Sequence, residues 1–172
     1  SEHWAAWVYL NRGKSINRFG EPGAVHNPLA LVPTLDFSFG LSVQPTDRLA
    51  NETQLNTIRL TRESGGQLVV GQQILRNGLR FQYSRQLLLR LVAEVNHVRR
   101  AVASNRYESD TALALEPLFS YKLNPFTVCY VGASLDSQGD PYPDRTGLTR
   151  TAQTVYVKLQ YLWQAGPGGG GE

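Results

Sequence analysis

Apolar and polar residues alternate with a period of two along most of this chain. The clearest example is residues 154–163, whose apolar positions are Val155, Val157, Leu159, Tyr161 and Trp163. Because successive side chains of a β-strand point to opposite faces of its sheet, this pattern predicts a strand with one apolar and one polar face. Apolar residues at helical spacing are not sustained over the roughly 11 residues that would indicate a helix. The sequence therefore predicts an all-β chain.

Eight segments carry this alternation. They are Trp4 to Asn11, Thr34 to Val43, Gln54 to Thr61, Leu75 to Ser84, Leu87 to His97, Ala112 to Leu123, Thr127 to Leu135 and Thr154 to Trp163. The first and third segments have no clearly apolar face. Pro117 interrupts the apolar face of the sixth, and because proline cannot donate a backbone hydrogen bond, we expect a bulge or irregular pairing there.

The connections between these segments alternate between long and short. The long ones run from Arg12 to Ala30, Arg62 to Gly71, Val98 to Asp110 and Asp136 to Arg150, and the short ones cover residues 44–48, 84–86 and 122–125. This order predicts an antiparallel up-and-down meander of about eight strands, with all tight turns at one end.

The length of 172 residues fits one domain. We expect the folded segment to cover residues 1–164, because residues 165–172 are mostly glycine and predict a flexible tail. The chain begins at Ser1 and contains no Met, which suggests a processed product or a fragment of a longer protein. Its single cysteine, Cys129, excludes an internal disulfide.

Composition limits how the chain could meet a membrane. Hydrophobic residues make up 41% of it, yet no run approaches the roughly 18 apolar residues of a membrane-spanning helix. Two β architectures remain. In a soluble lipocalin-like barrel the apolar face points inward, which predicts that Leu89, Leu115 and Leu159 are interior. In an outer-membrane barrel the apolar face meets lipid, and the turns are short on one side.

Aromatic residues favour the membrane architecture, because they collect near the ends of the predicted strands that lie beside the short turns. Such rings prefer the interface between membrane and water. The predicted aromatic girdle consists of Trp4, Trp7, Tyr83, Tyr121, Phe126, Tyr161 and Trp163.

The polar face mixes charges of both signs, which a narrow barrel interior can pair internally. The residues predicted to face this lumen are Arg80, Arg90, Glu94, Glu116, Lys122 and Lys158. In an eight-stranded barrel we expect them mainly to fill the interior.

The second half of the chain resembles a known family. The segments that carry the resemblance are Gly78 to Val92, Pro117 to Gly132 and Val155 to Trp163, and the most specific is the run Tyr121-Lys122-Leu123-Asn124-Pro125-Phe126-Thr127-Val128. They resemble the C-terminal part of a bacterial outer-membrane β-barrel family of unassigned function, which often carries an N-terminal carbohydrate-binding family 9-like domain. The resemblance implies the closing part of a larger barrel, although the glycine-rich tail departs from the family pattern.

Other functions find less support in the sequence. An outer-membrane hydrolase could draw on His26, His97, Ser104, Asp110, Asp136 and Ser137, but no motif fixes a catalytic set among them. Asp136, Asp140 and Asp144 weakly suggest calcium, although their spacing does not match an EF-hand. A net charge of +3 without a basic patch argues against nucleic acid. We therefore expect no catalytic, cofactor-binding or metal site.

The expectation from sequence is thus a bacterial outer-membrane β-barrel that serves as a membrane anchor or narrow pore. Its partners would be the lipid bilayer and an outer-leaflet glycolipid or carbohydrate. Through the resemblance, a carbohydrate-binding domain outside this chain would link it to carbohydrate binding or uptake. A soluble lipocalin-like carrier of a small apolar ligand and an outer-membrane hydrolase are the alternatives.

Overall fold

The structure, a computed structural model, describes residues 3–16, 31–63, 65–103, 106–139 and 147–162. These residues form eight strands, which confirms the predicted all-β class. In chain order the strands are β1 (Trp4–Ile16), β2 (Leu31–Thr46), β3 (Leu49–Thr61), β4 (Leu68–Gln82), β5 (Leu87–Ala103), β6 (Arg106–Asn124), β7 (Thr127–Gly139) and β8 (Leu148–Tyr161). The predicted tail, residues 165–172, lies outside the described residues.

All eight strands belong to one sheet whose spatial order follows the chain from β1 to β8. Every neighbouring pair is antiparallel, so the predicted up-and-down meander is confirmed. The connections from β2 to β3, β4 to β5 and β6 to β7 are short and leave the sheet at one end, called here the short-turn end. The opposite end is called the long-connection end. In the part of the chain that is described, no helix is long and apolar enough to cross a bilayer.

Most of the strands extend beyond their predicted limits, mainly toward the long-connection end. The segments Arg62 to Gly71 and Val98 to Asp110 were predicted as loops, and this is wrong for the last four residues of the first and for most of the second. Arg99 pairs with Ser109 and Arg100 with Glu108, so the β5–β6 hairpin continues through the second segment. Polar side chains there occupy both faces, which removes the alternation while the backbone pairing continues.

Pro117 produces the irregular pairing that its missing N–H predicted. Pairing between β6 and β7 is interrupted at Glu116 and Pro117 and resumes without a change of register, since Leu115 pairs with Leu135 and Leu118 with Gly132. The other partner, β5, stays paired with Pro117 through Leu91. The irregularity is therefore a local gap in the β6–β7 ladder.

The sheet is open. No pairing joins β1 to β8 within the described residues, and every described residue of these two edge strands is exposed. The only cluster of buried apolar residues found among the described residues lies near the long-connection end and consists of Val32, Leu60, Val69 and Val70. The fold is thus a single open sheet, and each of its two faces presents a different set of side chains.

Candidate functional site

The strand register brings the predicted apolar positions onto one face, called here the apolar face. One row across the sheet runs Val8, Phe39, Leu55, Leu75, Val95 and Leu113. A second row runs Leu49, Phe81, Leu89, Phe119, Val131 and Val157. These side chains are not covered by another layer: Leu91 is 41% exposed, Leu89 39% and Leu159 66%. The apolar face therefore lacks a packing partner among the described residues.

The apolar face forms a band of nearly constant height. Its apolar runs cover nine residues in several strands, as from Leu35 to Val43, Leu87 to Val95 and Leu113 to Tyr121. A tilted strand needs about 9–11 residues to cross the apolar part of a membrane. An open groove of about 630 Å³ lies mainly along this band, lined largely by apolar residues that include Leu79, Leu91 and Phe119.

Aromatic residues line the band at the short-turn end. Tyr121 pairs with Cys129 and Tyr161 with Thr127, which places both rings on the apolar face. Tyr83 follows the end of β4, and its ring meets that of Phe81 edge to face with centroids 6.4 Å apart. Trp4, Tyr83 and Tyr161 are each more than 60% exposed. These rings stand where a girdle was predicted.

Two members of the predicted girdle, Trp7 and Trp163, are not among these rings. Trp7 pairs with Gly40 on the opposite face from Trp4, because residues three apart in a strand point to opposite faces. It therefore does not belong with the aromatic residues of the apolar face. Trp163 lies outside the described residues.

At the long-connection end the band gives way to polar rows. From β3 to β6 the row Thr57, Gln73, His97 and Thr111 follows directly after Leu75 and Val95, whereas in β1 and β2 the same row is apolar and consists of Leu10 and Phe37. Within it, Nδ1 of His97 lies 2.8 Å from Oγ1 of Thr111. The next row contains Arg12, Arg59 and Arg99. The apolar band is thus bounded by aromatic rings at one end and by polar and basic groups at the other.

The opposite face, called here the polar face, carries all six residues that were predicted to face a lumen. Arg80 pairs with Arg90, and Glu116 pairs with Val92 of the same face. Of the other three, Glu94 pairs with Arg76, Lys122 with Val128 and Lys158 with Tyr130. Because the sheet is open, these six residues share one face without enclosing a lumen.

One ion pair on the polar face was missed by the sequence analysis. Nη1 of Arg76 lies 3.2 Å from Oε2 of Glu94, and both groups are partly exposed. Arg76 follows Leu75, the first residue of the predicted strand, so continued alternation could have placed it there. Its neighbours Arg80 and Arg90 lie directly opposite each other, an arrangement that like charges make unfavourable. A depression of about 490 Å³ collects these three arginines together with Glu52.

Acidic and basic residues are distributed differently between the two faces. Every carboxylate carried by a described strand lies on the polar face, and these are Asp36, Glu52, Glu94, Glu108, Asp110, Glu116 and Asp136. The strand-borne charges assigned by register to the apolar face are all basic: Arg12, Lys14, Arg59, Arg99 and Arg150. This separation was not evident from the sequence, because it depends on strand residues beyond the predicted limits.

A polar cluster interrupts the apolar face between β3 and β4. The side-chain amide of Asn77 donates to Oδ1 of Asn51 at 3.2 Å and to Oγ1 of Thr53 at 2.7 Å. Asn51 in turn donates to Oδ1 of Asn77 at 3.2 Å. The sequence did not predict the cluster, because Asn51 and Thr53 precede Gln54, the predicted start of β3. All three side chains are partly buried and satisfy one another.

Two glycines on the polar face receive aromatic rings from the edge strands. The indole of Trp7 covers Gly40, and the phenol of Tyr156 covers Gly132. A Cβ atom at either glycine would overlap the ring. Each edge strand is therefore anchored to its inner neighbour by a ring that packs on bare backbone.

One electrostatic contact lies beyond the band at the long-connection end. The ammonium group of Lys14 donates a hydrogen bond to Oε1 of Glu63. This hydrogen bond and the positive charge of Lys14 lower the pKa of the Glu63 carboxyl below its usual value. Both side chains are exposed, so the contact joins the end of β1 to the β3–β4 turn at the surface.

The residues considered for a hydrolase do not converge. His97 and Ser137 belong to the apolar face, whereas Asp110 and Asp136 lie on the polar face. His26 and Ser104 fall outside the described residues, as do Asp140 and Asp144 of the weak calcium pattern. Among the described residues, no group of three potential metal ligands is found.

No family model, curated protein or solved structure matches the chain significantly.

Proposed function

We propose that this chain forms part of the wall of a transmembrane β-barrel in the bacterial outer membrane, with its apolar face toward lipid and its polar face toward water. The observation that supports this most is the exposed apolar band itself. It covers the strand length of a bilayer crossing, has aromatic rings at the short-turn end and basic groups at the other.

Charge separation between the faces supports the same orientation. A carboxylate or an ammonium group is costly in hydrocarbon, so charged residues of a membrane barrel belong to the lumen or to the interfaces. Here the strand carboxylates are confined to the polar face, and basic residues of the apolar face are found toward the long-connection end. The ion pair of Arg76 and Glu94 is the kind of contact that a polar interior retains.

The open sheet leaves unpaired backbone groups along its two edge strands. Unpaired backbone groups at the edges of β1 and β8 would cost several kcal/mol each in hydrocarbon. A wall in lipid therefore has to be closed, and we propose that it closes either by pairing of β1 with β8 in the membrane or through further strands, as the family resemblance implies. Such a protein would act as a membrane anchor or pore, and a sugar-binding domain outside this chain would supply carbohydrate recognition.

The soluble carrier would require the open sheet to close with its apolar face inward. That architecture requires Leu89, Leu115 and Leu159 to be interior, whereas Leu89 is 39% exposed, Leu159 is 66% exposed and Leu115 is half-buried. A soluble protein with this face would also present a continuous apolar surface to water, which is a strong aggregation risk.

Electrophoresis of the chain folded in detergent tests the proposal. Membrane barrels in detergent commonly resist unfolding until heated, so we expect unboiled and boiled samples to migrate differently. We also expect the chain to need detergent or lipid to remain in solution. A chain that stays soluble without detergent and gives no heat-dependent shift would contradict the proposal.

A further inference from the structure

One row of the apolar face carries an arginine on each of the strands β1, β3 and β5. Arg12 pairs with Leu35, Leu35 with Arg59, Arg59 with Gly71 and Gly71 with Arg99. Adjacent strands lie about 4.8 Å apart, so neighbouring arginines of this row have backbones about 10 Å apart. We call Arg12, Arg59 and Arg99 the arginine row.

The arginine row lacks acidic partners. All three side chains are exposed, and within the described residues none of them forms an ion pair. Arg99 instead lies over the ring of Tyr107, 4.4 Å from its centroid, which holds the guanidinium close to the sheet. Since the strand carboxylates lie on the other face and Glu63 is paired with Lys14, no carboxylate among the described residues compensates the positive charge of the row on its own face.

The position of the row defines the kind of ligand that fits it. Directly toward the short-turn end lie the polar row that includes His97 and then the apolar band that begins with Leu75 and Val95. A ligand that covers the band and reaches the arginines must therefore combine apolar chains with an anionic head group. The guanidinium group binds phosphate through two parallel hydrogen bonds and remains charged at any physiological pH.

We propose that the arginine row binds the phosphate groups of anionic lipids in the leaflet on the side of the long connections. This inference rests on the proposed function, because it requires the apolar face to meet lipid. The spacing of about 10 Å places each arginine against a separate head group, so the three contributions add.

Folding of the full chain into lipid vesicles tests this inference. The equilibrium would be measured by urea titration with tryptophan fluorescence, in vesicles of phosphatidylcholine alone and in vesicles that also contain phosphatidylglycerol. The test variant replaces Arg12, Arg59 and Arg99 by Gln. The control variant replaces Arg80, Arg90 and Arg100 by Gln, which removes the same charge from the polar face.

We expect the unaltered chain to favour the anionic vesicles, by about fivefold in the folding equilibrium for each arginine of the row. The test variant should lose this preference, the control variant should keep it, and added salt should weaken it. Inorganic phosphate added to phosphatidylcholine vesicles should not reproduce it. The inference is overturned if both variants behave alike, if the unaltered chain shows no preference, or if free phosphate has the same effect. A chain that enters neither kind of vesicle would overturn the proposed function instead.

Discussion

At the scale of single residues, the glycines beneath the edge-strand rings have the sharpest steric requirement. At Gly132 a Cβ would overlap the Tyr156 ring, whereas at Gly78, on the same face, the nearest atom would be the carbonyl oxygen of Glu52 at 3.9 Å. We expect Gly132→Ala to destabilise the fold by about 1 kcal/mol, because the ring must leave its place.

Gly78→Ala is the matched control for this effect. We expect it to be neutral or to stabilise by about 0.5 kcal/mol, because alanine restricts the unfolded chain without meeting an obstacle here. Chemical unfolding of both variants in the same detergent measures the difference. Equal effects at the two positions would contradict a specific role for the ring contact.

The contact between Lys14 and Glu63 makes a prediction about pH. The pKa of Glu63 is lowered in the folded state, so the contact stabilises the fold above the usual carboxyl pKa, and this contribution is lost as pH falls through the lowered value. An NMR titration should show the pKa of Glu63 rising on Lys14→Gln and staying low on Lys14→Arg. An unchanged pKa in Lys14→Gln would contradict the assignment of cause.

At the scale of strands, the contribution of the polar cluster between β3 and β4 to stability can be measured separately from that of the apolar band. Asn77→Ala removes the donor that Asn51 and Thr53 share and the acceptor of the Asn51 amide, so that only the hydrogen bond from Thr53 to Asn51 remains. We expect a loss of about 1–3 kcal/mol, the cost of leaving partly buried polar groups unsatisfied.

The double replacement Asn51→Leu with Asn77→Leu provides the contrast. It removes both amides and continues the apolar band, so we expect it to be close to neutral, or stabilising in lipid. Unfolding free energies of Asn51→Leu, Asn77→Leu and the double variant give the coupling between the two residues. A double variant at least as unstable as Asn77→Ala would show that the amides contribute more than their mutual hydrogen bonds.

The strands also illustrate what the sequence could predict. Their number and their apolar faces followed from local alternation, since every second residue of a strand meets the same environment. Their antiparallel order followed from the alternation of long and short connections. The extension of β5 beyond His97 did not, because pairing there is maintained by the backbone while polar side chains occupy both faces, with Arg99 on one and Arg100 on the other.

Parts of the candidate site were predictable for the same reason. The six charges of the polar face were assigned from alternation alone, and Trp7 could have been moved to that face by applying the rule from Trp4 onward. The arginine row and the cluster of Asn51, Thr53 and Asn77 depend on which residues of different strands stand side by side. That register is set by long-range pairing, which a local pattern does not contain.

At the scale of the whole molecule, the proposed function requires the apolar face to meet lipid. Thr154 and Val155 are adjacent exposed residues of β8 that belong to the polar and apolar faces respectively, and Val155 is 63% exposed. In water, arginine at either position would change stability little, usually by less than about 0.5 kcal/mol. In a bilayer the two positions should differ strongly.

The most direct measurement is the unfolding free energy of Val155→Arg and Thr154→Arg in lipid vesicles. We expect Val155→Arg to cost about 2–4 kcal/mol if this position lies near the bilayer midplane, and Thr154→Arg to cost little, because its guanidinium group would face water. Equal costs for the two variants, or a larger cost for Thr154→Arg, would contradict the assignment of the apolar face to lipid.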